Sequence, residues 1–159
     1  MEGERALPII EERLQALGIS LPNLRTPIGN FVPAKRAGDL LFLSGRGPTG
    51  PDGRAQTGKV GDTVTVDEAY QHARQIGIGL LAVMKNAVGD LDRVDEIVKV
   101  FGMVNAGPDF MDHPKVINGC SDLFVEVFGD KGRHARSAVG MSSLPFQITV
   151  EIEAIALVR

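Results

Sequence analysis

Apolar positions change period several times along this chain, and each change marks an element. Over residues 5–17, Leu7, Ile10, Leu14 and Leu17 recur at helical spacing, and Gly18 is a natural stop. Residues 19–30 (ISLPNLRTPIGN) are rich in Pro, Asn and Gly and predict an extended connector. The segment FVPAKRAGDLLFLSG then reads as two strands turning at Ala37-Gly38-Asp39. Residues 45–62 predict a glycine-rich loop. Thr65-Val66-Asp67-Glu68 fits a capping box, in which Thr65 caps the helix and Glu68 reaches back. The helix it opens runs to about Val88, with Ala69, Ala73, Ile76, Leu80, Val83, Met84 and Ala87 on one face. Gly77 and Gly79 are poor helix formers, so they predict close packing against a neighbour.

Residues 94–105 (VDEIVKVFGMVN) predict a long strand. Pro114 suits a first helical position behind a cap at Asp112 or His113. That helix turns Val116, Ile117, Cys120, Leu123, Phe124 and Val127 inward and ends at Gly129. Residues 134–142 and 147–158 read as a terminal pair of strands around Leu144-Pro145. The last strand alternates: Ile148, Val150, Ile152, Ala154 and Ala156 on one face, Thr149, Glu151, Glu153, Ile155 and Leu157 on the other. Helix, two strands, helix, strand, helix and two strands imply an α+β fold with two amphipathic helices on one face of a mixed sheet. The sheet's other face is half polar and half apolar, and association of subunits is the simplest way to cover it.

At 159 residues the chain has the length of one domain and can bury a core without disulfides or metals. A net charge of -3, no Trp and a single Tyr count against a nucleic-acid surface. Cys120 is the only cysteine, which excludes an internal disulfide and a CxxC zinc site and suits a reducing compartment. No apolar run approaches the roughly 20 residues of a membrane span. The start, MEGERALPIIEERLQALG, is acidic and does not read as a secretory signal, so a cytoplasmic protein is expected.

Four places could carry chemistry. Gly45-Arg46-Gly47-Pro48-Thr49-Gly50 matches GxGxxG after a strand, but Pro48, Pro51, Asp52 and Gly53 impose turns where a dinucleotide site needs a helix. Free N–H groups at Gly45 and Arg46 could still bind an anion. The histidines show no ligand spacing: His72 reads as a helix surface residue, His113 as a cap, and His134 shares a strand face with Arg136. Cys120 falls in an apolar helical stripe and reads as core. Arg136, in HARSAVGMSSLP, stands among small residues in an apolar strand, and its planar fork suits a carboxylate. That carboxylate is either a ligand's or an internal one from Glu151 or Glu153.

Ala135-Arg136-Ser137-Ala138-Val139-Gly140-Met141-Ser142-Ser143-Leu144-Pro145, followed by Val150-Glu151-Ile152-Glu153-Ala154-Ile155-Ala156, resembles the C-terminal signature of the Rid/YjgF family. These are reactive-intermediate deaminases, formerly labelled perchloric-acid-soluble endoribonucleases. Leu41-Phe42-Leu43-Ser44-Gly45 resembles the family's second strand, and Asn118 its helix asparagine. The resemblance spans roughly residues 27–158 and leaves residues 1–26 as an N-terminal helix and connector. It implies a chorismate-mutase-like α+β fold and a homotrimer with clefts between subunits. It also implies that Arg136 holds the carboxylate of a small metabolite, helped by Ser44 and Gly45, and that Glu151 positions the attacking water. Asn118, Phe31, Ala138 and His134 would line that site. The implied reaction hydrolyses a 2-imino acid, the tautomer of an enamine, to a 2-keto acid and ammonia. It needs no metal or organic cofactor, because the imine carbon is already electrophilic.

Three positions depart from the deaminase archetypes. Phe31 replaces a tyrosine, Ala138 a cysteine, and His134 a proline. They motivate an alternative, a non-enzymatic binder of a 2-keto-acid-like carboxylate. Ribonuclease activity, suggested by the family's older label, is disfavoured by the negative charge and by the lack of a paired-histidine acid and base.

Overall fold

The computed structural model describes residues 8–159, so Leu7 of the first predicted helix lies outside the described residues. The elements follow the predicted order: α1 (Ile9–Ala16), β1 (Ala34–Ala37), β2 (Leu40–Arg46), α2 (Val66–Val88), β3 (Val94–Asn105), α3 (His113–Phe128), β4 (Ala135–Met141) and β5 (Val150–Val158). Local chemistry accounts for most boundaries. The Thr65 hydroxyl accepts from the Glu68 N–H at 3.1 Å, and the Glu68 carboxylate accepts from the Thr65 N–H at 2.8 Å, so the capping box forms. Gly38, at φ +60°, makes the β1–β2 turn. Asp112 stands at the α3 N-cap but makes no side-chain cap bond.

With eight residues, α1 is too short to hold itself. It is pinned from elsewhere: the Asp92 carboxylate accepts from the N–H groups of Ile9 and Ile10 at 2.9 and 2.8 Å, and Arg13 donates to the Val127 carbonyl. Glu11 pairs with Lys85 of α2.

The five strands run in the order β1-β2-β5-β3-β4, antiparallel except for the parallel pair β3–β4. The two terminal strands are therefore not neighbours. β5 inserts between β2 and β3, while β4, reached through α3, forms the edge.

The two long helices cover one face, as predicted. Their approach depends on small residues: a Cβ on Gly119 would lie 2.0 Å from the Tyr70 carbonyl oxygen, and one on Gly77 would lie 2.7 Å from Leu123. Between helices and sheet, Leu41, Leu80, Val100, Ile117, Phe124 and Ile152 are buried, each contributing about 1.5–3 kcal/mol. Two expectations need correction. Ala87 is exposed, and Val88 takes the last buried place of α2. The alternation of β5 does not reach back past Val150. Phe146 and Gln147 have φ of 56° and 58°, and the chain bends at Thr149. Ile148 consequently packs with Met103 and Leu144, away from the main core, while Thr149 is buried under α2.

The other sheet face is open. Phe31 and Phe42 are exposed there, around a cavity of about 410 Å³ that Phe101, Ile155, Lys35 and Lys99 also line. No helix among the described residues is long and apolar enough to cross a membrane.

Candidate functional site

Register decides which candidates can meet. Arg136 pairs across the sheet with Val100, which pairs with Ala154; both partners are buried under the helices. Residues in register share a face, so Arg136 points to the helix side. Glu151 pairs with Met103, one position out of phase, and points to the open side. The strand β3 lies between theirs. Arg136 and Glu151 of one chain therefore stand on opposite faces, roughly 10 Å apart across the strands alone.

Around Arg136 the side chains form one hydrogen-bonded series. Nη1 donates to Asn118 Oδ1 at 2.8 Å and to Ser121 Oγ at 3.1 Å. Ser121 Oγ lies 2.9 Å from His134 Nε2, and His134 Nδ1 lies 2.7 Å from the Gly132 carbonyl. A carbonyl can only accept, so Nδ1 carries the proton and Nε2 accepts from the serine. Burial, and more weakly the Arg136 charge, hold the His134 pKa below its ordinary value against the Gly132 bond, which suits that neutral tautomer. Among the described residues no carboxylate pairs with Arg136; both its partners are neutral. The internal ion pair that the sequence left open does not form. Ala138, two residues on, packs against the core on the same side.

Around Glu151 the site is built differently. The pairing of β2 with β5 steps from Leu43–Ala154 to Arg46–Ile152, so one extra residue bulges at Ser44-Gly45. Gly45 lies against Glu151: a Cβ there would sit 3.0 Å from Oε2. Burial first, and Glu153 second, push the Glu151 pKa up. Glu153 shares the open face but is exposed. Phe31, Ser44, Gly45, Ile148 and Phe146 line the same cavity, of about 360 Å³. Ser44 is already committed within the chain. Its hydroxyl donates to the Val32 carbonyl at 2.6 Å and its N–H to the Pro33 carbonyl at 2.9 Å, so neither is free for a ligand as expected.

The eight predicted site residues thus fall into two groups: Arg136, Asn118, His134 and Ala138 on the helix side of the edge strand, and Glu151, Gly45, Ser44 and Phe31 on the open side of β2 and β5. The remaining candidates stay apart. His72 is not a surface residue: half-buried, it bonds Thr149 Oγ1 at 2.8 Å, and burial lowers its pKa. His113 packs edge-on to Phe110 and against Gly140. Cys120 is fully buried, and burial raises its thiol pKa, so it is inert core.

Two participants were missed. Ser121 stands one helical turn from Asn118, a spacing that could have flagged it. Phe146, 83 % exposed with a left-handed backbone, borders the Glu151 cavity, and no sequence signal marks that conformation in a non-glycine residue.

Comparison with known proteins places this architecture. The family model described as "YjgF/chorismate mutase-like, putative endoribonuclease" matches residues 11–155. The protein TCP17 of Trypanosoma cruzi is 42% identical over 147 residues, covering 92% of each chain. A RutC family protein of Pyrococcus horikoshii is 32% identical over 134 residues, covering 84% of this chain and 91% of that one. A crystal structure from Shewanella oneidensis, titled a putative endoribonuclease, superposes with a TM-score of 0.89 at 32% identity, covering 94% and 99%. With a family match across most of its length and a mixed sheet backed by two long helices, the chain belongs to the Rid/YjgF family.

Proposed function

We propose that copies of this chain associate through the open sheet face as a homotrimer, and that the Arg136 group of one subunit and the Glu151 group of its neighbour together hydrolyse a small 2-imino acid. The observation that carries this reading is Arg136 itself. It is half-buried, oriented by two neutral side chains, and neutralised by no acid of the described chain. A guanidinium cannot shed its charge, so it favours an incoming carboxylate. The opposed faces explain why a second subunit is needed. The exposed Phe31 and Phe42 supply apolar area for the contact.

Arg136 holds the substrate carboxylate and fixes C2 in place. Glu151, its pKa raised, takes a proton from water as the water oxygen bonds to C2 of the protonated imine. That proton then passes to nitrogen, Glu151 takes the remaining hydroxyl proton as the C–N bond breaks, and a 2-keto acid and ammonia leave, the ammonia then taking up that proton as ammonium. Generating 2-iminopropionate with an amino-acid oxidase and following its decay tests the proposal. The protein should accelerate decay; no acceleration over buffer, across several amino-acid precursors, ends it.

A second reading has one observation in its favour. Phe31 and Ala138 offer neither hydroxyl nor thiol, so the pocket has fewer proton-handling groups than the archetypes. Binding of pyruvate by calorimetry, lost in Arg136→Ala and without any imine turnover, would identify a carboxylate binder instead.

A further inference from the structure

One cationic group has no role in the proposed reaction: Arg46, which borders both the Glu151 cavity and a second one. It belongs to the GxGxxG segment, whose first two residues end β2 and whose remainder runs irregularly into a turn after Gly50. The β2 bulge reverses its direction: Gly45 faces Glu151, whereas Arg46 pairs with buried Ile152 and points to the helix side. There its guanidinium lies over α2, where a Cβ on Gly79 would come within 2.9 Å of Nε. A side chain there would push the guanidinium aside, which gives this glycine a packing role in a helix that it otherwise weakens.

The guanidinium lines a cavity of about 350 Å³, enclosed by residues 20–25 of the connector, the loop at 47–53 and residues 75–79 of α2. Two features describe what this cavity lacks. Arg46 is half-buried, and among the described residues no ion pair or hydrogen bond satisfies it; burial alone pulls its pKa below the ordinary value. No acidic side chain lines the cavity, while a second arginine, Arg25, stands at its rim and donates to the Gly53 carbonyl at 3.1 Å. Buried charges are normally paired and buried polar atoms normally bonded, because leaving them unmet costs more than the bond gains. Here a half-buried donor without an acceptor faces a space that a second arginine also borders.

We infer that this cavity is a second ligand site, for a small oxyanion: a phosphate or a small carboxylate. Its oxygens accept from Arg46 and Arg25. The site is separate from the carboxylate anchor of the proposed reaction. Arg136 lies on β4, at the far edge of the sheet from β2 and beyond both β5 and β3. The inference does not depend on that reaction.

The test uses the full chain carrying Arg136→Gln, so that the cleft does not contribute. Inorganic phosphate and glycolate are titrated separately by calorimetry at low ionic strength. Saturable binding of either probe is expected, weakened at least about tenfold when Arg46→Gln is added. Binding of phosphate alone or of glycolate alone assigns the source of the anion. Circular dichroism checks the fold of each variant. Should Arg46→Gln not fold, Arg25→Gln at the rim is expected to weaken binding about threefold or more. No saturable binding of either probe, or binding unchanged in the folded Arg46→Gln or Arg25→Gln variant, overturns the inference.

Discussion

The Arg136 group and the Glu151 group divide the same candidate chemistry between two faces of one sheet, and they are finished to different degrees. On the covered side, Arg136, Ser121, His134 and the Gly132 carbonyl form an ordered series in which each donor meets an acceptor. A charge oriented before any ligand arrives costs little to reorganise when one binds. On the open side, Glu151 gains nothing comparable: burial and a neighbouring carboxylate both disfavour its charged form. Exposed Phe31 and Phe146 border its cavity, and among the described residues no side chain hydrogen-bonds its carboxylate. A single chain completes the anchor and leaves the acid waiting, and that asymmetry is what a site shared between subunits requires.

Several variants sharpen the contrast. The largest effect belongs to Arg136→Ala, which should weaken 2-keto-acid binding by about 2–5 kcal/mol, measured by calorimetry. An unchanged affinity would remove Arg136 as the anchor. Next is Glu151→Gln, expected to abolish turnover while keeping 2-keto-acid binding. It also has a pH signature. A carboxyl whose folded pKa is raised adds stability while protonated, and that contribution disappears as pH rises through the raised value. Wild type at about pH 7 therefore carries a penalty that the glutamine lacks. Thermal unfolding should show the variant with the higher Tm there, and the gap should close at about pH 4. A lower Tm for the variant at neutral pH would mean that Glu151 is stabilised by a partner. Ser121→Ala should have the smallest effect, about 1 kcal/mol or several-fold in 2-keto-acid affinity, because Asn118 still holds Nη1. Loss as large as that of Arg136→Ala would make the serine an anchor in its own right.

Legibility in the sequence followed the range of the interactions. α2, β3 and α3 were readable because periodicity, a capping box, an early proline and a closing glycine are local signals. Strand order was not, since nothing within residues 150–158 says that β5 inserts between β2 and β3. The same gap kept Arg136 ambiguous. Its partner could not be chosen until register set Glu151 and Glu153 on the opposite face. Thr149 and Ile148 were assigned to the wrong sides because alternation was extended through a bend made by two left-handed residues. His72 read as solvent-facing because a helix's polar face shows no trace of a buried threonine 77 positions away. The candidate residues themselves were found, but their division into two groups is a property of the sheet.

Subunit mixing tests the shared site most directly. Arg136→Ala and Glu151→Gln chains, each inactive alone, are unfolded together in equal amounts and refolded. If each cleft draws its arginine from one subunit and its glutamate from the next, random assembly restores both groups in about a quarter of clefts, and imine hydrolysis returns to about a quarter of the wild-type rate. A mixture that assembles fully yet stays as inactive as its parents would contradict the account.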